Sequence, residues 1–218
     1  MCIRDSNTII QNVVALLFAV ALDSGIKGQK IMRTIFFVPC LISAVVVGFV
    51  WLKLYGNVLP ALFKLMGLKS SLAMLLGKEE TVLSGLLIAN NWQWIGYWML
   101  IYLAALQGVP RELYEAATVD GANKWQQFRN VTLPQLKPTT FFASIMLIIS
   151  CFKIYDVVAI MTEGGPGRST KMLVTYIYDV AFAKIKYGQA SAIAMVLLVI
   201  VLVITIIQFS SEKKFAND

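Results

Sequence analysis

The chain predicts an all-α membrane protein of about five transmembrane helices, and three observations predict it. Of 218 residues, 58% are hydrophobic and only 14% are charged, with a mean hydropathy of +0.72. An ordinary soluble domain is roughly 45–50% apolar and about 25% charged. The charges are also clustered, so that long intervals hold no Asp, Glu, Lys or Arg. Each of those intervals approaches the roughly 20 apolar residues that a helix needs to cross hydrocarbon. The same composition excludes several chemistries. There is no histidine, which removes zincin motifs, Ser-His-Asp triads and Cys-His dyads. Cys2, Cys40 and Cys151 are odd in number and lack CxxC spacing, so they suggest neither a disulfide framework nor a metal site. A formal charge of +7 in so apolar a chain fits basic residues flanking membrane spans better than nucleic-acid binding.

The intervals justify the helices in order. Ser6 to Leu22 is uncharged for 17 residues, Thr34 to Leu52 for 19, Thr81 to Pro110 for 30 and Tyr187 to Ser211 for 25. Phe141 to Met161 is apolar except for Lys153 and Asp156. These give spans at about 7–24, 34–54, 84–107, 139–161 and 188–210. The first is not read as a signal peptide, because it leads directly into a second span without a small-residue cleavage site. The opening Met1-Cys2-Ile3-Arg4-Asp5-Ser6 differs in character from the rest of the chain and reads as a non-native scar.

The connections differ in kind. Asp23 to Arg33 is short and basic. Leu59 to Leu76 is apolar-rich, with Lys64 and Lys69 interspersed, and reads as an amphipathic helix in the interface. Glu163 to Lys186 begins with Gly164-Gly165-Pro166-Gly167, a turn that stops a helix. With five helices, nine Lys and Arg fall on each side, so the positive-inside count gives no orientation.

Arg111 to Lys137 is the most polar segment. Glu112 to Ala117 has good helix formers, with acids in the first turn where the helix dipole favours them. Asp120-Gly121 is a turn pair, and Gly121 can take the positive φ of a sharp bend. Ala122 to Asn130 resumes as a short helix with Trp125, Phe128 and Val131 in a strip, and Pro134 and Pro138 break the chain before the next span. Local physics supports two readings equally: an object built to dock in a partner's groove, or a solvated linker.

A resemblance separates them. Glu115-Ala116-Ala117, three residues, Gly121, nine residues, then Val131-Thr132-Leu133-Pro134 is similar to the EAA loop of bacterial ABC-importer permeases, with Val131 where that pattern has Ile. The extended form with Asp120, Ala122 and Phe128 resembles the carbohydrate-uptake branch. Arg33-Thr34-Ile35-Phe36-Phe37-Val38-Pro39 resembles the start of a core helix in maltose and glycerol-phosphate permeases. Thr162-x-Gly164-Gly165-Pro166 is similar to that branch's outer loop. Together these resemble the MalF/UgpA type of subunit rather than its MalG/UgpE partner type. The resemblance implies a type I importer core over residues 7–212, with a cytoplasmic helix-turn-helix coupling loop at 108–138 and a cytoplasmic tail at 213–218. Such permeases have six core helices where this sequence shows five, and the match begins at Asn7, so the resemblance implies an N-terminally truncated chain without the first core helix.

That family membership would make this chain a multi-pass subunit of the bacterial inner membrane. Its partners would be a second permease subunit, two ABC ATPases, an extracytoplasmic solute-binding protein and the lipid bilayer, with no nucleic acid. The sequence has no G-x-x-x-x-G-K-[ST] phosphate loop, so no cofactor is expected on this chain. ATP and Mg would be used by the partner ATPase. Glu115 would supply the polar docking contact, Ala116 and Ala117 close approach, and Gly121 the bend, with Asp120, Ala122, Phe128, Leu133 and Pro134 completing the loop.

Polar groups inside spans are costly and functional by default. Lys153 and Asp156, at i and i+3, are able to pair on one helix face, and with Tyr155 they form a candidate sugar-binding lining. A buried structural ion pair explains them equally well. Asn91, Gln93 and Tyr97, among Asn90, Trp92, Trp94 and Trp98, form a second candidate, although an interfacial aromatic belt explains Trp92 and Trp94 better. The same loop also fits a permease for a non-carbohydrate solute. A membrane enzyme using Lys153 and Asp156 would leave the loop unexplained.

Overall fold

The computed structural model describes residues 2–25, 28–67 and 75–215. Among the described residues the chain consists of helices and turns, with no strand. The helices are α1 (Cys2–Asp23), α2 (Gln29–Leu41), α3 (Ala44–Lys53), α4 (Leu59–Leu65), α5 (Glu79–Gln107), α6 (Arg111–Val119), α7 (Lys124–Gln127), α8 (Leu133–Gln135), α9 (Lys137–Phe152), α10 (Asp156–Met161), α11 (Leu173–Tyr178) and α12 (Tyr187–Phe215). Three π-helical turns, Leu54–Val58, Phe128–Thr132 and Asp179–Ala183, join α3 to α4, α7 to α8 and α11 to the segment before α12.

Three stretches are long and apolar enough to cross a membrane: Ala44–Leu65, Lys124–Phe152 and Tyr187–Ser210. Helix α5 has the length, about 43 Å at 1.5 Å per residue, but carries Asn90, Asn91 and Gln93 at its middle. Asn7–Asp23 is apolar and shorter. Helix covers most of each of the five expected segments, but two are interrupted and the boundaries differ from the uncharged runs. Met1, part of the interfacial stretch (68–74) and the last three residues of the tail lie outside the described residues.

Two expected helices are broken. The run Thr34 to Leu52 divides between α2 and α3, because Ile42 and Ser43 leave helical geometry, Ser43 with φ −54° and ψ 137°. Gln93 Nε2 donates to the Ile42 carbonyl at 3.0 Å, replacing the intrahelical partner that the break removes. Helix α3 then continues through the π turn into α4. The run Phe141 to Met161 divides between α9 and α10 at Lys153-Ile154-Tyr155.

The expected break at Pro134 and Pro138 does not occur. Pro134 falls in the first turn of α8 and Pro138 is the second residue of α9. First-turn positions need no backbone N–H donor. The π turn at Phe128–Thr132 sets that register, with the Leu133 N–H donating to the Phe128 carbonyl.

Two compact units are distinguished. One holds the residues up to Asn7, Ile42–Gln93 and those from Ile148 onward; the other holds Thr8–Leu41 and Trp94–Leu147. In the second unit, Ala15, Ala19 and Leu22 of α1 pack with Trp98, Met99, Tyr102, Leu103 and Leu106 of α5, and with Ala143 and Leu147 of α9. The period of about 3.6 residues puts Val13 and Leu17 on the opposite, exposed face. Tyr102 Oη donates to Asn12 Oδ1 at 2.7 Å, so this fully buried ring keeps a polar partner. In the first unit, Tyr55, Leu86, Ala89, Val157, Val158 and Met161 form a core in which Gly48 admits Ile160 at 3.0 Å from where a Cβ would stand. Helix α12 buries only Ala190 among the described side chains, against Val180 and Ala181.

Helices α2 and α5 cross at Gly96. A Cβ there would collide with the Phe36 carbonyl, which is backbone and cannot rotate away. Gly96→Ala is expected to lower stability by about 1–3 kcal/mol, the typical cost of overpacking. Gly188→Ala, with nothing within 4 Å, is expected to be neutral or better. Thermal unfolding of both variants in detergent checks this, and equal melting temperatures would contradict it.

Candidate functional site

The polar loop is built from its helix ends. Pro110 precedes α6 in extended geometry, with φ −57° and ψ 129°, and Glu112 sits in the first turn. The C-terminus closes with two bonds: Ala122 N–H to the Ala117 carbonyl at 2.9 Å, and Gly121 N–H to the Thr118 carbonyl at 3.0 Å. Gly121 has φ +77°. This is a Schellman turn, in which the residue after the cap takes the left-handed conformation. It gives the spacing of Ala117, Gly121 and Ala122 a physical reason: Ala117 supplies the accepting carbonyl, Gly121 the bend, and Ala122 the returning N–H.

The next helix is capped equally fully. Asn123 Oδ1 accepts from Gln126 N–H at 2.9 Å, and Gln126 Oε1 accepts from Asn123 N–H at 2.8 Å. Gln127 is buried, and its amide donates to Thr118 Oγ1 at 3.0 Å and to the Ala122 carbonyl at 3.2 Å. Tyr114 Oη and Thr132 Oγ1 are 3.0 Å apart. These bonds tie α6 to α7 and to the π turn. Asn123, Gln126, Gln127 and Tyr114 are not among the residues that the sequence pointed to, whereas Thr132 lies within the quoted motif without a role assigned to it. The Asn-x-x-Gln spacing is a capping-box signal that reveals the first two; nothing in the sequence marks Gln127 or Tyr114.

What this scaffold presents is a free carboxylate beside apolar surface. Glu115 is exposed and makes no hydrogen bond or ion pair among the described residues. Ala116 is exposed beside it, and Val119 is 88% and Trp125 68% exposed. An open groove of about 380 Å³ lies between Tyr114, Glu115, Thr118, Val119, Lys124 and Gln127. Asp120 caps α6, and Leu133 and Pro134 are exposed at the start of α8. The expected strip is corrected in one respect. Trp125 stands out while Phe128 and Val131 are more buried, although the Trp125 and Phe128 rings remain 5.6 Å apart.

The intramembrane candidates separate. Asn91 is buried and donates to Asn7 Oδ1 at 3.0 Å and to the Leu87 carbonyl at 2.7 Å, leaving its own Oδ1 without a partner. Asn90 also reaches Asn7, at 3.4 Å. Gln93 is buried at the α2–α3 break, with Oε1 unpaired. Tyr97 is exposed and stands edge-on to Trp94 and Trp98, at 6.2 and 5.2 Å. Lys153 and Asp156 do not share a helix face. Lys153 lies in the break between α9 and α10, Asp156 begins α10, both are exposed, and no bond joins them. The pairing expected from i, i+3 spacing requires an unbroken helix, and the chain is not helical there. Tyr155 stacks on Tyr178 with centroids 4.1 Å apart.

The loop and the helices around it define the class of protein once they are set beside known chains. Residues 11–217 match the family described as binding-protein-dependent transport system inner membrane component, and the chain belongs to that family. It is thus an inner-membrane permease component of a transport system, and that family is one of transporters. Among similar chains, a probable permease for starch degradation products from Thermoanaerobacterium thermosulfurigenes, AmyD, is 35% identical over 94% of this chain and 70% of its own length. The arabinooligosaccharide permease AraP of Bacillus subtilis is 33% identical over 94% of this chain and 67% of its own. A solved bacterial ABC transporter that imports alginate has a chain of the same fold, with a TM-score of 0.83 at 23% identity, covering 96% of this chain and 77% of that one.

Losing the Asn123 cap is expected to cost about 1 kcal/mol. In an Asn123→Ala variant, amide hydrogens of Lys124–Gln127 should exchange faster while those of α5 are unchanged. Unaltered protection at Gln126 would contradict the capping geometry.

Proposed function

We propose that this chain is one permease subunit of an ATP-binding-cassette importer for a sugar or oligosaccharide, driven by a separate ATPase that docks on α6 and its turn. The observation that carries the reading is the unpaired Glu115 between exposed Ala116, Val119 and Trp125, held on a helix-turn-helix in which the end of α6 and the start of α7 are both capped. A rigid apolar surface with one free charge suits docking into a partner's groove. Family membership and the carbohydrate substrates in relatives' names support the solute class. The complex would contain a second permease subunit, two ATPases that use ATP and Mg, and an extracytoplasmic binding protein. The loop would face the cytoplasm.

In this mechanism the chain moves solute without making or breaking bonds. Closure of the ATPases shifts α6, and the Schellman turn and the Gln127–Thr118 bond carry that shift to α7 and so to the helical run Lys124–Phe152. Coupling requires the ATPase to contact the two transport states with different free energies. Glu115, Ala116, Ala117, Asp120, Gly121, Ala122, Phe128, Leu133 and Pro134 are the proposed coupling residues. Lys153, Tyr155 and Asp156, at the break between α9 and α10, are proposed to line the solute path. Asn91, Gln93 and Tyr97 are further proposed contacts, of which the first two also hold structure.

Glu115→Lys or Gly121→Pro is expected to abolish ATP-driven uptake in the assembled transporter while the ATPase subunits remain folded and hydrolyse ATP. Uptake at the wild-type rate by either variant would overturn the reading. A permease for another solute of the same family would show the same loop phenotype but no uptake of any oligosaccharide.

A further inference from the structure

Four aromatic rings form a row outside both hydrophobic cores of their unit. Tyr155 stacks on Tyr178 at 4.1 Å with planes 19° apart, Tyr178 meets Phe182 at 5.5 Å, and Phe182 meets Tyr187 edge-on at 6.5 Å. Tyr155 is half-buried, whereas Tyr178, Phe182 and Tyr187 are exposed, at 42%, 67% and 59%. Local backbone geometry holds the row. The π turn Asp179–Ala183 brings Tyr178 and Phe182 together, and Ile185 adopts φ +57° to return the chain to Tyr187. A β-branched residue in the left-handed region is strained, and such strain persists where the surrounding structure overrides it and clusters at ligand sites.

We propose that Tyr178, Phe182 and Tyr187, continued inward by Tyr155, are a stacking platform for the pyranose rings of an incoming oligosaccharide. The proposal deepens the sugar-import reading and rests on it. A pyranose has one face of C–H bonds, weakly positive, which meets the negative face of an aromatic ring, and a rim of hydroxyls that need hydrogen-bond partners. Both are supplied here. The Tyr155, Tyr178 and Tyr187 hydroxyls make no hydrogen bond among the described residues, and Lys184 and Lys186 are exposed beside the row. A surface meant only for lipid looks different in this same chain: the exposed large side chains of α12 from Met195 to Ile207 include no ring. The row also starts at Tyr155, beside the exposed Lys153 and Asp156, so it leads from open surface to the break between α9 and α10.

The test is saturation-transfer NMR on the assembled importer in nanodiscs, without binding protein, using maltotetraose and an alginate tetrasaccharide as probes. Wild type should saturate the ring C–H protons of at least one probe. Phe182→Leu and Tyr187→Leu should reduce that signal about fivefold, on the scale of one lost ring contact. Phe182→Trp should retain it, because leucine keeps only apolarity whereas tryptophan keeps the π face. No saturation of either probe by wild type, or equal signals from Phe182→Leu and wild type, would overturn the platform. ATP-driven uptake by the same importer and variants in sealed liposomes, with the binding protein added, separates the two readings. Uptake that persists without ring contacts leaves sugar import standing and removes the platform; absence of oligosaccharide uptake removes sugar import itself.

Discussion

Every break in a helix frees backbone N–H and C=O groups that hydrocarbon cannot hydrate, and the way this chain pairs them again organises the rest of its structure. The α2–α3 break is paired by the Gln93 amide on the Ile42 carbonyl. The end of α6 is closed by the Gly121 turn and the start of α7 by Asn123 and Gln126. After α10, Thr170 Oγ1 lies 2.8 Å from Thr162 Oγ1 and donates to the Gly165 carbonyl, also at 2.8 Å. Pro134 and Pro138 forfeit no helical bond because each falls in a first turn. Polar residues at these points therefore carry structure first, and those left unpaired and exposed are the ones free to serve a partner or solute.

That division sorts the candidate residues. Asn91 and Gln93 spend their donors inside the chain, on Asn7 and Leu87 and on Ile42. Among the described residues, Glu115, Lys153 and Asp156 have no such side-chain partner. The scaffold around Glu115 is tied together by the Gln127–Thr118 and Tyr114–Thr132 contacts, which suits the proposed role of a surface that transmits displacement rather than yields to it. Small residues matter for the same reason: Ala116 and Ala117 keep the α6 surface low, and Gly121 is the one position in that turn where a side chain would be strained.

Much of this was legible in the sequence. Uncharged runs revealed the membrane class, because charge inside hydrocarbon is costly and its absence is a strong signal. Asp120-Gly121 revealed the bend, and the Glu115-to-Pro134 spacing revealed the family to which the chain belongs. The breaks at Ile42–Ser43 and Lys153–Tyr155 were hidden, since a run of apolar residues reads the same whether one helix or two cross it. The Lys153–Asp156 pairing failed for that reason: spacing predicts a shared face only where the helix is unbroken. Pro134 and Pro138 misled because their meaning depends on hydrogen-bond register, which a π turn shifts without any composition signal. The row from Tyr155 to Tyr187 was likewise invisible, as it joins residues far apart in the chain through a turn at Ile185.

The central claim is that the α6 surface is where energy enters the permease. A photo-crosslinking amino acid at Val119, 88% exposed beside Glu115, tests it most directly in membranes containing the whole transporter. Crosslinks to an ATPase subunit are predicted, in a yield that changes when a non-hydrolysable ATP analogue is added. Crosslinks confined to lipid, or to the extracytoplasmic binding protein, would contradict it.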